Sequence, residues 1–169
     1  MVEVIRCDVD RILPLRAKVL RAGKPVEMAQ FEHDRLSTTR HYALLEGELA
    51  KGCLTLIQSG LKIGRYVMDV LLAEAGPLLS AARYGLGDVI PAWQLRGMAT
   101  DDGSQGRGFG SQLIRFAVEE ALSEGFSQIY WCNAREKAVP FYERNGWKVI
   151  SKEFEVPGIG PHFKMILLP

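Results

Sequence analysis

A glycine-rich loop that precedes a strongly amphipathic helix is the feature that most restricts how this chain folds. The loop, Gln105 to Gly110, reads Gln-Gly-Arg-Gly-Phe-Gly. From Ser111 onward the apolar residues recur at helical spacing, at positions 113, 114, 117, 118, 121 and 122. Strand-forming residues between Trp93 and Thr100 precede the loop. The sequence therefore predicts a strand, a loop and a helix in succession, as in domains that pack helices on a sheet.

The loop is suited to an anion. The helix behind it leaves its first backbone N–H groups without intrahelical acceptors and points its positive dipole end at the loop. Gly106, Gly108 and Gly110 lack Cβ atoms and tolerate positive φ, so successive N–H groups can converge on phosphate oxygens. Arg107 adds a charge at the rim of the loop. The alternative is that the glycines only make a tight turn between the strand and the helix.

Two well-known phosphate-binding loops do not fit this spacing. A Walker A loop ends in Gly-Lys-Ser/Thr, whereas Ser111 and Gln112 follow Gly110. A dinucleotide-binding loop has Gly-x-Gly-x-x-Gly and an acidic residue about twenty positions later. Here the spacing is Gly-x-Gly-x-Gly, and the following strand ends in Cys132 and Asn133 without an acid.

Two motifs in the right order carry a resemblance to a known family. Gln105 to Gly110 matches Gln/Arg-x-x-Gly-x-Gly/Ala at every specified position. Residues 138–147, Ala-Val-Pro-Phe-Tyr-Glu-Arg-Asn-Gly-Trp, look like the segment Ala-x-x-Phe-Tyr-x-x-x-Gly-Phe. From Trp93 to Trp147 the chain thus resembles the GNAT superfamily of acetyl-CoA-dependent N-acetyltransferases. The resemblance implies direct transfer of an acetyl group from acetyl-CoA to a primary amine, with no metal.

The same resemblance implies the fold. We expect one GNAT-like α/β (mixed α+β) domain over residues 1–169, with a mixed, mostly antiparallel sheet of six to seven strands and helices on both faces. The residue patterns place the remaining elements as follows: a strand over 2–5, a helix over 9–22, a short helix around 28–36, a hairpin of 41–46 and 52–58 with its turn at 47–51, a strand over 128–132, a helix over 137–144, a strand over 147–156 and a terminal strand over 162–168.

Residues 59–91 form an apolar insertion within this domain. Their apolar positions follow a helical pattern, and Pro77 is placed where a second helix could start. We interpret the insertion as an additional pair of core helices. A lid over the acceptor site and the contact face of a homodimer are the alternatives, and an oligomeric scaffold without affinity for coenzyme A is a third class of function.

The resemblance assigns the cofactor contacts residue by residue. The backbone of Met98, Ala99 and Thr100 would meet the pantetheine arm, and the Met98 N–H would donate to the thioester oxygen, where negative charge develops. The pyrophosphate would lie on the loop, and the complete loop set is Gln105, Gly106, Arg107, Gly108, Phe109 and Gly110. Asn133, Arg135 and Phe141 complete the predicted cofactor contacts.

Tyr142 is the residue expected to transfer a proton. A thiolate leaves when the acetyl group is transferred, and a phenol with an ordinary pKa near 10 can protonate it at neutral pH. By resemblance the tyrosine of the second motif has this role. The alternative is an aromatic side chain packed between a helix and the sheet, although Phe141 beside it is the better candidate for the core.

The strand before the loop lacks the glutamate with which many family members deprotonate the amine. Candidates on the acceptor side are Glu27, Glu32, His33, Asp34 and His41. The two histidines and Asp34 match no zinc spacing, and we interpret them as surface polar residues. The missing carboxylate also keeps open a catalytically silent acyl-CoA-binding module. Cys132 is expected to be an inert buried thiol rather than an acyl carrier.

The composition excludes some classes of partner but does not identify the acceptor amine. The net charge is +1, with 47% hydrophobic and 24% charged residues, which gives no general attraction for nucleic acid or a membrane. The three cysteines form no paired or metal-binding spacing, and no apolar run has the length of a signal peptide or a membrane span, so we expect a cytoplasmic protein. The acceptor, a small-molecule or peptide amine, stays unassigned.

Overall fold

The computed structural model describes residues 1–62, 64, 73 and 89–169. Within those residues there are eight strands, β1 (Val2–Cys7), β2 (Thr39–Glu46), β3 (Leu49–Lys62), β4 (Val89–Thr100), β5 (Tyr130–Arg135), β6 (Lys148–Val149), β7 (Phe154–Val156) and β8 (Gly160–Leu167). The α-helices of the same residues are α1 (Val9–Leu20), α2 (Phe109–Ser123) and α3 (Val139–Arg144). The predicted helices around Val67 to Pro77 lie outside the described residues.

The strands form a mixed, mostly antiparallel sheet, as predicted. In sheet order, β1, β2, β3 and β4 are followed by β5, β8 and β6, and β7 also pairs with β8. The pairings of β1 with β2, β2 with β3, and β8 with β5, β6 and β7 are antiparallel, whereas β4 and β5 are parallel. The strand count exceeds the predicted six to seven because the strand predicted over 147–156 is divided into β6 and β7.

The chain divides into two compact units. The first consists of Met1–Gln58 and Leu95–Glu124, and the second of Ser59–Gln94 and Gly125–Pro169. Strands β3 and β4 each contribute residues to both units. The functional residues predicted before and within the glycine-rich loop belong to the first unit, and those from Asn133 to Tyr142 belong to the second.

In the first unit, two helices cover opposite faces of β2. Ala43 and Leu45 belong to the apolar cluster that contains Ile12 of α1. Tyr42, which alternates with them along the strand, contacts Phe116 of α2 with ring centroids 6.1 Å apart in an edge-on arrangement. The alternation of apolar residues on β2 therefore supplies a core on each side, which explains why this strand is buried on both faces.

The second unit is held by a largely apolar core. Its cluster contains residues from β3, β4, β5 and β8 together with segments between the strands, namely Leu61, Ile90, Ala92, Ile129, Trp131, Ile150 and Ile166. All six residues of β5 pair with β8, from Tyr130 opposite Leu167 to Arg135 opposite His162. Trp147 is 2% exposed and packs beside Tyr142 of α3. This core fixes α3 and the strand it follows.

The short helix predicted around residues 28–36 is wrong, because this segment forms no α-helix. A 3-10 turn covers Val26–Ala29, and the Met28 N–H bonds the carbonyl of Pro25 at 3.0 Å. Further on, the Asp34 carboxylate accepts the Phe31 N–H at 2.7 Å. An aspartate that binds nearby backbone in this way competes with helical hydrogen bonding, so the segment is built from turns.

Other predicted boundaries are also wrong. The hairpin turn is Gly47 and Glu48 alone, because Glu46 pairs with Leu49 and β3 begins there. Residues 59–62 and 89–91, assigned to the insertion, belong to β3 and β4. The strand predicted over 147–156 divides into β6 and β7, and the one predicted over 128–132 is shifted to Tyr130–Arg135. Side-chain bonding contributes to the division, since the Ser151 hydroxyl accepts the N–H of Lys164 at 2.8 Å.

The described helices are too short or too polar to cross a membrane.

Candidate functional site

The glycine-rich loop has the backbone that an anion cradle needs. Gly106 and Gly108 both have φ of 77°, in the left-handed region that favours glycine. Gly108 is the residue before α2, so the helix starts at Phe109 and not, as the pattern predicted, at Ser111. A Cβ atom built on either glycine would meet no heavy atom within 4 Å. The first turn of α2 contains no acidic residue, so its N–H groups face no competing carboxylate of that turn.

The side chains of the loop are arranged around this backbone. Arg107 forms an ion pair with Glu46 at 2.7 Å, and its guanidinium carbon lies 4.4 Å from the centre of the Phe109 ring. Hydrogen bonding within this pair raises the pKa of Arg107 and lowers the pKa of Glu46. The side chains of Arg107 and Glu46 are both accessible to solvent, so their ion pair is weak. A bound phosphate could therefore replace Glu46 as the partner of an arginine that is already in position.

The strand before the loop contains a local kink. Gly97 has φ of 59°, and its carbonyl oxygen lies 3.6 Å from the Sγ of Cys53, which donates to it. Met98 and Thr100 are half-buried, and Ala99 is 4% exposed. The Asp101 N–H bonds the carbonyl of Lys51 at 2.9 Å, just after the strand ends. The three residues predicted to meet the pantetheine arm therefore lie between a kinked glycine and the start of the loop.

A buried charged network lies behind the kink. Arg16 of α1 is fully buried and donates to the Asp34 carboxylate at 2.6 Å and to the Thr55 hydroxyl at 2.6 Å. It also donates to the carbonyl of Ala29 at 3.1 Å. A Cβ atom on Gly97 would lie 3.0 Å from the Nε of Arg16, so the kink packs directly on this side chain. Arg16 occupies an apolar position in the helical pattern, and that mismatch was the available signal for a buried arginine.

The hydrogen-bond partners of His41 determine which of its ring nitrogens carries the proton. Its Nε2 lies 2.7 Å from the backbone carbonyl of Asp34, and its Nδ1 lies 2.8 Å from the Thr55 hydroxyl. A carbonyl can only accept, so Nε2 carries the proton and Nδ1 accepts the hydroxyl of Thr55, which itself accepts from Arg16. Burial lowers the pKa of His41, which keeps the ring neutral.

This network reduces the set of candidate bases. Asp34 and His41 are 3% and 5% exposed and both form hydrogen bonds within the network, so their interpretation as surface polar residues is wrong. Neither side chain is accessible to an amine. Glu27 and Glu32 are exposed, and His33 is half-buried with a ring Nδ1 that has no hydrogen-bond partner among the described residues. These three are the remaining candidates.

A separate concave region of the first unit lies beside Asp101. It has a volume of about 520 Å³ and is lined by Asp10, Arg11, Pro14, Leu15, Lys18, Glu48, Leu49, Ala50, Lys51 and Asp101. Asp101 pairs with Lys18 and with Lys51, and the bond from Lys18 is the main cause that lowers the pKa of Asp101. Arg11 also pairs with Glu48, and Asp10 pairs with Arg35 outside the lining, so we assign no ligand to this region.

In the second unit, β5 separates its side chains onto two faces. Asn133 and Arg135 are exposed, whereas Cys132 and Ala134, which alternate with them, are buried. Among the described residues, β5 pairs with β4 only at Tyr130 and Trp131. The predicted contacts Asn133 and Arg135 thus share one face of β5, and the neighbour of Tyr142 on this strand, Cys132, is on the other.

Tyr142 lies on α3 and is 7% exposed. Its ring packs edge-on against Phe141 and Trp147, with centroids 5.2 Å and 5.4 Å away. Burial, with a smaller contribution from Cys132, raises the pKa of its phenol well above 10. The hydroxyl is therefore protonated throughout the neutral range. Phe141 is only half-buried, so the prediction that it is the core member of the pair is wrong.

The thiol of Cys132 is not suited to carry an acyl group. It is 1% exposed, and burial raises its pKa far above neutral pH. The thiolate that would act as nucleophile is therefore not populated. The described residues also contain no group of three or more histidine, cysteine, aspartate or glutamate side chains that could hold a metal ion.

Sequence comparison with known proteins identifies the family. The family model of the acetyltransferase (GNAT) domain matches residues 65–168. The uncharacterized N-acetyltransferase YitI of Bacillus subtilis (strain 168) is 32% identical over 165 residues, covering 98% of this chain and 95% of that protein. The chain belongs to the GNAT acetyltransferase family. The resemblance seen in the two motifs is thereby confirmed.

Solved structures confirm the fold of this GNAT acetyltransferase. An acyl-CoA N-acyltransferase from Pseudomonas aeruginosa is similar with a TM-score of 0.66 at 13% identity, covering 99% of both chains. An aminoglycoside 6'-N-acetyltransferase complexed with coenzyme A is similar with a TM-score of 0.60 at 13% identity, covering 97% of this chain and 95% of that one. At such identities the similarity concerns the fold alone.

Proposed function

We propose that this GNAT protein transfers an acetyl group from acetyl-CoA directly to a primary amine and releases coenzyme A. The observation that carries the proposal is the left-handed backbone of Gly106 and Gly108, with φ of 77° at each, immediately before the fifteen-residue helix α2. This geometry, with open space beside both glycines, fits a pyrophosphate held by backbone N–H groups and a helix N-terminus. We assign Gln105 to Gly110 to that role.

The acetyl group requires a donor for its carbonyl oxygen. We assign the backbone N–H of Met98 to this oxygen and the backbone of Ala99 and Thr100 to the pantetheine arm. A donor fixed in place before the reaction stabilises the charge that develops on the oxygen without further reorganisation. The packing of Gly97 on Arg16 and Phe31 supports this assignment, since it restricts the backbone next to Met98.

The proposed transfer conserves atoms and charge. The neutral amine attacks the carbonyl carbon, the new C–N bond forms, and the C–S bond breaks to leave a thiolate. Burial raises the pKa of Tyr142, so the phenol is protonated at neutral pH; it donates this proton to the sulfur, and the resulting tyrosinate regains a proton from solvent. The proton lost by the amine passes to a base, for which Glu27, Glu32 and His33 are the remaining candidates.

Asn133, Arg135 and Phe141 remain proposed cofactor contacts. The exposed face of β5 that carries Asn133 and Arg135 can meet a polar group of coenzyme A, and the half-buried Phe141 can contact an apolar part of it. The single-domain organisation, the homodimer and the cytoplasmic location also stay predictions. The three cysteines are unpaired thiols, which a reducing compartment would preserve.

The test is a panel of primary amines incubated with acetyl-CoA while free thiol is followed. We expect at least one amine to raise thiol release above the hydrolytic background. Tyr142→Phe should lower kcat by about 100-fold, the lower range for removal of a general acid. Tyr42→Phe is the matched control, since Tyr42 is also buried but its hydroxyl bonds Glu120 in the first unit. Its kcat should stay close to that of the wild type.

A second candidate function is a silent acyl-CoA-binding module. It is favoured by the absence of a carboxylate from Gln94 to Thr100 and by the deep burial of Tyr142. Protection against heat by acetyl-CoA without turnover of any amine would support this module and overturn the transferase. Loss of heat protection as well would remove the cofactor assignment itself.

A further inference from the structure

Three arginines surround one aromatic ring in the first unit. The guanidinium carbons of Arg16, Arg96 and Arg21 lie 4.3 Å, 4.6 Å and 5.9 Å from the centre of the Phe31 ring. Each contact is within the range at which a cation is attracted to an aromatic face. Three positive charges therefore lie around this ring, and they differ in whether a carboxylate of the protein pairs with them.

Two of the three arginines have partners. Arg16 holds the Asp34 carboxylate at 2.6 Å, which is the buried ion pair described above. Among the described residues, Arg21 donates only to backbone, to the carbonyls of Met28 and Leu20 at 3.1 Å and 3.3 Å. None of the carboxylates of those residues forms an ion pair with it.

Arg96 has no hydrogen bond and no ion pair among the described residues, and its contact is the Phe31 ring. It is nevertheless half-buried on β4. Burial lowers its pKa, Arg16 and Arg21 lower it further, and the nearby Asp34 and Glu32 only partly offset this. A half-buried guanidinium that no carboxylate or carbonyl of the described residues engages can take a bound anion without giving up an existing partner.

The position of Arg96 on β4 connects this guanidinium with the proposed reaction. It precedes Met98 by two residues on β4, so the Cα atoms of the two residues lie at most about 7 Å apart. Between them, Gly97 places its backbone against Phe31, where a Cβ atom would lie 2.7 Å from the ring. Arg96 therefore belongs to the same segment of β4 as Met98, and the Phe31 ring contacts both the Arg96 guanidinium and the backbone between the two residues.

We propose that Arg96, assisted by the charge of Arg21, binds a carboxylate of the acceptor, so that the substrate is an amino acid or a similar amine with a nearby carboxylate. This inference rests on the proposed function, because it takes Met98 to mark the acetyl group. A planar carboxylate matches the donors of a guanidinium in pairs, which a neutral acceptor group does not. The Phe31 ring holds the guanidinium in place for it.

The rival explanation is that Arg96 only braces β4 by stacking on Phe31. The two roles differ in what they affect. A brace acts on every amine equally and on stability, whereas a carboxylate contact acts on the charged acceptor alone and mainly on KM. The variant Arg96→Met keeps an apolar stem against the ring and removes the charge, so it separates the two roles.

The experiment compares each amino acid with its own carboxamide as acceptor, in the wild type, in Arg96→Met and in Arg115→Gln. The last is a control at an exposed arginine of α2. We expect the wild type to favour the carboxylate by about 10- to 100-fold in kcat/KM, the size of a hydrogen-bonded charge. Arg96→Met should lose that preference and Arg115→Gln should keep it. A preference unchanged in Arg96→Met, or absent from the wild type, would overturn the inference.

A binding measurement separates this inference from the transfer reaction. The N-acetyl derivatives of the same amino acids are titrated calorimetrically into the wild type, Arg96→Met and Arg96→Lys. Weaker binding in Arg96→Met, with a smaller loss in Arg96→Lys, would support the carboxylate contact even if no amine is turned over. Equal binding in all three proteins would overturn it, and Arg96→Lys serves as the test if Arg96→Met does not fold.

Discussion

The two units of this GNAT protein treat buried polar groups in opposite ways. The first unit buries an ion pair, Arg16 with Asp34, and connects it through Thr55 to a neutral His41. The described part of the second unit buries no ion pair and instead surrounds the phenol of Tyr142 with aromatic rings. In the first unit, the buried arginine packs against the kinked strand at Gly97, whereas in the second unit burial raises the pKa of the Tyr142 phenol.

Removal of one partner from the buried network of the first unit is expected to lower the stability of the fold. A buried charge is tolerated only while its partner is present, and both Arg16 and Asp34 have fully buried side chains. In the second unit, by contrast, removal of the Tyr142 hydroxyl leaves no buried charge behind. Substitutions in the network and in its controls test this difference between the units.

The largest effect is expected from Asp34→Ala. It leaves the Arg16 guanidinium buried without its carboxylate, and we expect the free energy of unfolding to fall by about 3–5 kcal/mol. Urea unfolding followed by circular dichroism measures it. Asp10→Ala is the control, because the pair of Asp10 with Arg35 is exposed by 67% and 61%, so its loss should cost less than about 1 kcal/mol. Equal losses in the two variants would break the comparison.

A smaller effect is expected from Gly97→Ala, with Gly108→Ala as its matched control. Both glycines have positive φ, which costs an alanine about 1–2 kcal/mol in each case. Only at Gly97 does the added Cβ meet another side chain, 2.7 Å from Phe31, so overpacking adds about 1–3 kcal/mol there. Thermal unfolding of the two variants should therefore differ. If Gly108→Ala were the less stable one, the kink would not be braced by the network.

The smallest effect is the pH dependence that comes from His41. Its folded pKa is below the ordinary value of about 6.5, so on acidification the unfolded chain takes up a proton before the folded one does. Stability is therefore lost as the pH falls from about 6.5 towards the folded pKa, by at most about 1.4 kcal/mol per pH unit. Urea unfolding at several pH values should show a shallower dependence in His41→Gln. Parallel profiles for the two proteins would contradict a neutral, buried His41.

The parts of this molecule set by local pattern were predictable from the sequence. Helix α2 follows from its apolar spacing, and its start differs from the prediction by two residues because Gly108 caps it in a left-handed conformation. Likewise the glycine loop and the position of Tyr142 on a short helix follow from local motifs. Their roles in catalysis stay predictions, since they come from the resemblance and no contact with a substrate tests them.

The parts set by distant partners could not be predicted. Strand β5 extends to Arg135 because it pairs with His162 and its neighbours, far along the chain. Asp34 and His41 were interpreted as surface residues because their polarity says nothing of a buried arginine eighteen or more positions earlier. The position of Arg96 on the Phe31 ring, without an ion pair among the described residues, depends on what its neighbours bind elsewhere, which only the folded arrangement shows.

The most direct test of the proposed function follows an isotopically labelled acetyl group. The wild type is incubated with acetyl-CoA labelled in the acetyl carbons and with a panel of amino acids, and the mixture is analysed by mass spectrometry. We expect the label on the amine nitrogen of a carboxylated acceptor, with one coenzyme A thiol released for each acetylated amine. Label that stays on coenzyme A, or is recovered only as free acetate, in a protein that binds acetyl-CoA would contradict the proposed transfer.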